Sequence, residues 1–127
     1  FILTWTFDSF AYLVGKKLGK TKILPTISPK KSWEGFFGGY LFCILASSLL
    51  YFVFEDYFNH ISTLSYILIT VILPFTATTG DFIESYYKRK AGVKDSGKIM
   101  PGHGGILDRM DAFLVTIPVI YIIINII

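Results

Sequence analysis

From Trp33 to Phe54 the chain runs 22 residues with a single charged side chain, Glu34, near its start. As an α-helix this stretch would be about 33 Å long, enough to cross the hydrocarbon core of a bilayer. Few soluble folds accommodate such a segment, and the composition agrees with a lipid environment. Apolar residues make up 53% of the chain and aromatics 17%, with a mean hydropathy of +0.57; both favour lipid over water as the solvent. Gly35, Gly38 and Gly39 lie close to one face of the span and predict tight helix contact in lipid. Ser32 precedes it as the expected N-cap, with Trp33 as an interfacial aromatic.

Three further apolar segments follow the same logic. Residues 1–15 read as the end of a membrane helix, 61–79 as a return span kinked at Pro74, and 111–127 as a last, short span. The expected fold class is therefore an all-α, polytopic integral membrane protein. It has about four membrane helices (1–15, 33–54, 61–79 and 111–127) and two basic cytoplasmic loops, and 1–127 forms one membrane domain. The chain begins at Phe1 in mid-apolar sequence with no signal-peptide pattern. It is expected to be the C-terminal catalytic part of a longer protein. The lone cysteine, Cys43, lies inside a span and reads as a small buried hydrophobe.

Charge sets the orientation. The net charge is +3, and all twelve basic residues fall in two places. Lys16, Lys17, Lys20, Lys22, Lys30 and Lys31 lie in one, and Lys88, Arg89, Lys90, Lys94, Lys98 and Arg109 in the other. The turn from Glu55 to His60 has neither Lys nor Arg. Short loops rich in Lys and Arg stay cytoplasmic, so both basic regions belong on one side and that turn on the other. In the first basic loop, 16–32, Pro25 and Pro29 exclude a continuous helix. Its lysines would attract anionic lipid at roughly 1 kcal/mol each; more specifically, Ser28, Lys30 and Lys31 are placed to hold a nucleotide or phospholipid phosphate. Asp8 stands out within the first segment, because a carboxylate at a helix centre costs roughly 2.5–3.5 kcal/mol on insertion scales. It reads either as an interfacial helix-end residue or as a group facing protein, water or an ion.

The second charged stretch, Gly80 to Asp111, carries five carboxylates between apolar segments. Asp81 and Glu84 are three apart, as are Asp108 and Asp111, so each pair shares a face if helical. Oxygen-only ligands that leave room for water and phosphate suit Mg²⁺, and no His/Cys spacing suits zinc. The ordinary reading, that these acids simply pair with Lys88, Arg89 and Arg109, is compatible with ion binding. The turn Pro101-Gly102-His103-Gly104-Gly105 offers backbone N–H groups as a phosphate nest. A helix start after it also favours anions, and Lys94, Lys98, His103 and Arg109 flank it.

Taken together, Ser85, Lys88-Arg89, Lys94-Asp95, Pro101 to Gly105 and Asp108-Arg109-x-Asp111 resemble the 27-residue signature of the phosphatidate cytidylyltransferases, the CDP-diacylglycerol synthases. The upstream pieces Asp8-x-x-Ala11-Tyr12, Gly15, Gly19-Lys20-x-Lys22, Ser28-Pro29-Lys30-Lys31 and Glu34-Gly35 are similar to that family as well, so the match runs from Asp8 to Asp111. The resemblance implies CTP and phosphatidic acid as substrates and CDP-diacylglycerol and pyrophosphate as products. It also implies Mg²⁺, with or without a second cation, and action as a homodimer at the cytoplasmic face of a bacterial inner membrane. The family's metal-binding aspartates fall on Asp81 and Asp108, with Asp111 close by and Glu84 a further candidate. His103 and Lys94 join the aspartates as catalytic candidates. Ser28, Lys30, Lys31, Ser85, Lys88, Arg89, Gly102, Gly104, Gly105 and Arg109 are the substrate-binding candidates. No nucleic-acid partner is expected. Two alternatives stay open: an ion-coupled transporter using the intramembrane acids, and a related CTP-using enzyme acting on a polyprenol.

Overall fold

The computed structural model describes residues 1–92 and 107–127; at Leu107, Asp108, Arg109 and Asp111 the description is of the backbone. The order of elements is α1 (Ile2–Leu18), β1 (Lys22–Leu24), β2 (Ser28–Ser32), α2 (Trp33–Val53), α3 (Glu55–Phe58), α4 (Thr63–Lys90) and α5 (Leu107–Ile126). The described residues are mostly helical. Among the described residues two helices, α2 and α4, are long and apolar enough to cross a membrane, and α5 carries a shorter apolar stretch, Ala112–Ile126.

Helix α2 is built inside out relative to a soluble helix. Gly35, Gly39, Cys43 and Ser47, spaced four apart along one face, are buried. Phe37, Leu41, Leu45, Leu49 and Phe52 are each more than half exposed. Large apolar side chains outside and small or weakly polar ones inside is the arrangement that lipid favours, because tails solvate Leu and Phe while small residues let backbones approach. Helix α1 fills that small-residue face. A Cβ on Gly39 would fall 2.7 Å from the Phe7 carbonyl oxygen, and one on Gly35 would fall 2.6 Å from the Ala11 carbonyl oxygen.

Further polar contacts tie the helices together within the apolar layer. Ser47 Oγ lies 2.6 Å from Thr70 Oγ1, and the Tyr66 hydroxyl donates to the Ser47 carbonyl at 2.8 Å, joining α2 to α4. Thr76 Oγ1 sits 3.1 Å from Thr116 Oγ1, joining α4 to α5. Each satisfies a hydroxyl that hydrocarbon would leave bare. Phe7, Phe36, Cys43, Leu73, Ala77 and Ala112 form the core between them.

Two stretches go beyond the sequence expectation. Over 16–32 the expected loop is largely regular: Lys16 and Lys17 complete α1, and β1 and β2 form an antiparallel hairpin pairing Lys22 with Ser32 and Leu24 with Ser28. Pro25 opens the turn, with the Ile27 N–H donating to the Leu24 carbonyl at 3.2 Å, the position at which a fixed φ favours a β-turn. Pro29 is tolerated because a two-stranded ribbon consists of edge strands. Helix α4 does not stop at Thr79 but continues through buried Pro74 and past Gly80 to Lys90. Loss of apolar character marks where lipid would end, not where the helix ends, since helical hydrogen bonds are internal and survive the passage into water.

The hairpin is fastened to the start of α2. Ser32 Oγ accepts the Gly35 N–H at 3.2 Å, the expected N-cap. The Trp33 N–H donates to the Thr21 carbonyl at 3.0 Å, and the Thr21 N–H is shared by both Glu34 carboxylate oxygens at 3.2 Å. Replacing Ser32 by Ala is expected to cost about 1 kcal/mol, measured as a lower midpoint of thermal unfolding in detergent. An unchanged midpoint would show that the cap contributes nothing.

Candidate active site

Helix α1, strand β2 and helix α4 meet around a cavity of about 300 Å³. Asp8 and Tyr12 reach it from α1, Ser28, Lys30 and Lys31 from β2, and Thr78 and Asp81 from α4; Phe7 and Phe36 supply apolar wall. The Lys31 ammonium is ion-paired with Asp81 Oδ2, the two side chains being 30% and 17% exposed. It also lies 5.2 Å from the centroid of the Phe82 ring, within cation–π range. Two carboxylates and two ammonium groups thus line a half-enclosed space with an apolar back wall. In such a place charges are screened less than on an open surface and interact more strongly.

A second cavity, of about 250 Å³, is lined by Ser28 and Lys30 of β2 and by Ser85, Lys88 and Arg89 of α4. Ser28 and Lys30 line both spaces. Asp81, Ser85 and Lys88 follow one another along a helix face at spacings of four and three, so the extended α4 brings an acidic and a basic position to the same strand. Three cationic side chains and two hydroxyls line this one hollow, a donor set suited to an anion. Arg supplies a planar fork of donors and the lysines act as point charges.

Of the candidates drawn from sequence, Ser28, Lys30, Lys31, Asp81, Ser85, Lys88 and Arg89 come together in these two adjoining cavities. Glu84 lines neither: it is buried on α4, 3.2 Å from the Lys88 ammonium. Asp108, Arg109 and Asp111 lie at the start of α5, with side chains outside the described residues; Asp111 immediately precedes Ala112, which belongs to the core. Lys94, Gly102, His103, Gly104 and Gly105 lie outside the described residues. Asp8 was singled out in the sequence but not assigned to the site, and the structure brings it to the same cavity as Asp81. The signal was its charge in an apolar segment. Tyr12 entered the sequence reading only within the family resemblance and Thr78 was not assigned to the site, because their places at the cavity depend on how α1 and α4 pack.

The model of the cytidylyltransferase family matches residues 1–127. Proteins named phosphatidate cytidylyltransferase are similar over 97% of the chain. One from Staphylococcus saprophyticus is 46% identical and one from Staphylococcus aureus (strain COL) 47% identical over 123 residues. The chain spans about half the length of these relatives, 46% in each case. Among solved structures, an intramembrane enzyme for archaeal membrane lipids biosynthesis superposes on 97% of the chain and 77% of its own, with a TM-score of 0.63 at 18% identity. At that identity the likeness is one of fold.

Proposed function

The chain belongs to the cytidylyltransferase family, and from that premise we propose that the intact protein transfers CMP from CTP to phosphatidic acid, leaving CDP-diacylglycerol in the membrane. The observation that supports this most is the sharing of Ser28 and Lys30 between a carboxylate-bearing cavity and a cationic one. Two anionic substrates must be brought together, and adjoining sites on one strand suit that task.

In this reading an oxygen of the lipid phosphate attacks the α-phosphorus of CTP, the bond from that phosphorus to the β-phosphate bridging oxygen breaks, and pyrophosphate leaves. A phosphomonoester has a second pKa near ~6, so the nucleophile is already largely ionised at neutral pH. No general base is required. The obstacle is repulsion: two unit charges 4 Å apart repel by about 4 kcal/mol at an effective dielectric of 20, and each substrate carries more than one charge. Lys30, Lys88 and Arg89 reduce that cost by holding phosphate oxygens, and Ser28 and Ser85 fix their orientation. His103, on the same reasoning, donates a hydrogen bond to a phosphate rather than removing a proton.

Mg²⁺ is part of the proposal, alone or with a second cation. Asp8 and Asp81 with the Ser28 and Thr78 hydroxyls are hard-oxygen donors around one cavity. Donors of this kind suit an ion that keeps waters and takes ligands from substrate phosphate. Asp81, Asp108 and Asp111 would hold it, with Glu84 a further candidate. When bound, it would supply charge neutralisation and in-line orientation of the attacking and leaving oxygens.

The membrane disposition belongs to the same reading. Helices α1, α2, α4 and α5 cross a bacterial inner membrane, with the basic hairpin and the charged end of α4 in the cytoplasm by the positive-inside rule. The protein acts as a homodimer. The experiment is to supply labelled CTP and Mg²⁺ to the intact protein in liposomes containing phosphatidic acid, a polyprenyl acceptor, or neither. Labelled CDP-diacylglycerol formed only with phosphatidic acid is the expected result. Label on the prenyl acceptor instead would reassign the substrate, and solute uptake driven by the cation with no labelled lipid would replace the enzyme with a transporter.

A further inference from the structure

We infer that Lys31 is a resident counter-ion of Asp81, which gives up its place to the divalent cation and then binds the anionic substrate. The inference rests on the reading above that Asp81 holds a divalent cation. The Lys31 ammonium contacts Asp81 Oδ2 from the neighbouring strand, in a cavity that a second carboxylate, Asp8, also lines. Asp81 has two oxygens, but a divalent cation on either would lie within a few ångströms of that ammonium. The two positive charges compete for one carboxylate.

The displaced ammonium can stay within the cavity it already lines. Lys30 and Lys31 both border that cavity, and Ser28 and Lys30 join it to the cationic groove. Lysine carries its charge on a flexible four-carbon stem with three rotatable donors. It can leave Asp81 while its backbone stays in the hairpin, which the Glu34 and Trp33 contacts to Thr21 hold against α2. The Phe82 ring face near the ammonium provides a further favourable contact during the exchange.

Before substrate arrives, Lys31 keeps a partly buried carboxylate neutralised. Once a cation occupies the carboxylate, the freed ammonium adds one positive charge beside the groove where substrate phosphate binds. Cation and nucleotide then strengthen each other's binding through Lys31, and linkage requires that coupling to be reciprocal.

The test is equilibrium binding of Mn²⁺, read by electron paramagnetic resonance, to the intact protein in lipid nanodiscs without nucleotide. Removing a positive charge within ~4–6 Å changes a carboxylate's proton affinity by roughly 10- to 1,000-fold, and the same sign holds for a metal ion. Lys31→Met is expected to bind Mn²⁺ about tenfold or more tightly than the wild type. Lys30→Met, which removes an equal charge from the same strand, should change the affinity much less. With Mn²⁺ saturating, Lys31→Met should bind CTP more weakly than the wild type.

Mn²⁺ affinity unchanged or lowered in Lys31→Met would overturn the exchange and leave Lys31 as a structural partner. Wild-type Mn²⁺ binding that Asp81→Asn does not alter would overturn the metal reading and the exchange with it. A second measurement needs no variant. Labelling of Lys31 by an amine-reactive ester, followed by mass spectrometry, should rise when Mn²⁺ is added to the wild type; a rate that stays the same refutes the release of the ammonium.

Discussion

Asp81→Asn is expected to lower CDP-lipid formation by at least about 100-fold while leaving the protein folded in the membrane. Two considerations separate these outcomes. The ion pair with Lys31 is part-buried, but asparagine keeps an oxygen to accept from the ammonium, and the Lys31 side chain, 30% exposed, can reach water. Its loss should lower the unfolding midpoint without unfolding the protein. By contrast, a group aimed at charge that must be neutralised in the transition state is worth roughly 10²–10³ in rate when removed. Asparagine keeps the shape of aspartate and loses the negative charge that attracts a cation. Asp108→Asn should behave in the same way, whereas His103→Gln should lose less, because on the proposed mechanism it only donates a hydrogen bond. The measurement is turnover of labelled CTP beside a thermal melt of each variant. Normal turnover in a folded Asp81→Asn protein would remove the carboxylate from the mechanism. A His103→Gln loss as deep as that of Asp108→Asn, with a pKa missing from the rate profile, would make the histidine a proton carrier.

The second large effect is expected at the helix crossing, not at the site. Gly39→Ala should destabilise the protein by about 1–3 kcal/mol, even though alanine is the better helix former by ~1 kcal/mol. The added methyl would sit 2.7 Å from the Phe7 carbonyl oxygen, 2.8 Å from Ala11 Cβ and 3.0 Å from the Ala11 amide nitrogen. Two of these are backbone atoms of a helix, which cannot step aside as the end of a side chain can, so α1 must move away from α2. Overpacking then outweighs propensity. Because α1 also carries Asp8 to the cavity, activity should fall with stability. Leu45→Ala, on the exposed face of the same helix, removes more atoms yet should change the melt far less, since a lipid-facing leucine exchanges protein contacts for lipid contacts at little net cost. Thermal unfolding in one detergent compares the two; a Gly39→Ala midpoint at or above wild type would show that the crossing has slack.

Much of the fold was legible because a bilayer imposes a simple rule on composition. The span 33–54 matches α2 closely, and Ser32 at its head caps it as expected, since both features depend only on residues adjacent in the chain. The glycines on α2 announced a close contact, but not that α1 would make it. The hairpin in 16–32 was missed because strands this short take their stability from pairing and from attachment to Thr21 and α2, neither of which leaves a periodicity to read. The expected span end at Thr79 did not give the end of α4, because hydropathy changes at Gly80 while the helix continues to Lys90.

At the site, the kinds of side chain were visible in the sequence and their partners were not. Lys30 and Lys31, with Ser28 beside them, could be marked for phosphate and Asp81 for a cation because charge in an apolar chain is conspicuous, whereas Ser85, Lys88 and Arg89 entered through the family resemblance. Asp8 was conspicuous for the same reason, yet its place beside the cavity depended on the antiparallel packing of α1 against α2.

The sequence by itself determined that long apolar helices run through the chain, with α2 placed to within a residue, and that its basic charge collects in two stretches; these follow from the solvent preference and charge of each residue. Only the tertiary structure decided that Lys31 meets Asp81, 50 positions away, and that one short strand serves both cavities. Such pairings are set by how closely helix backbones approach, and that distance is a property of the packed bundle that no single segment encodes.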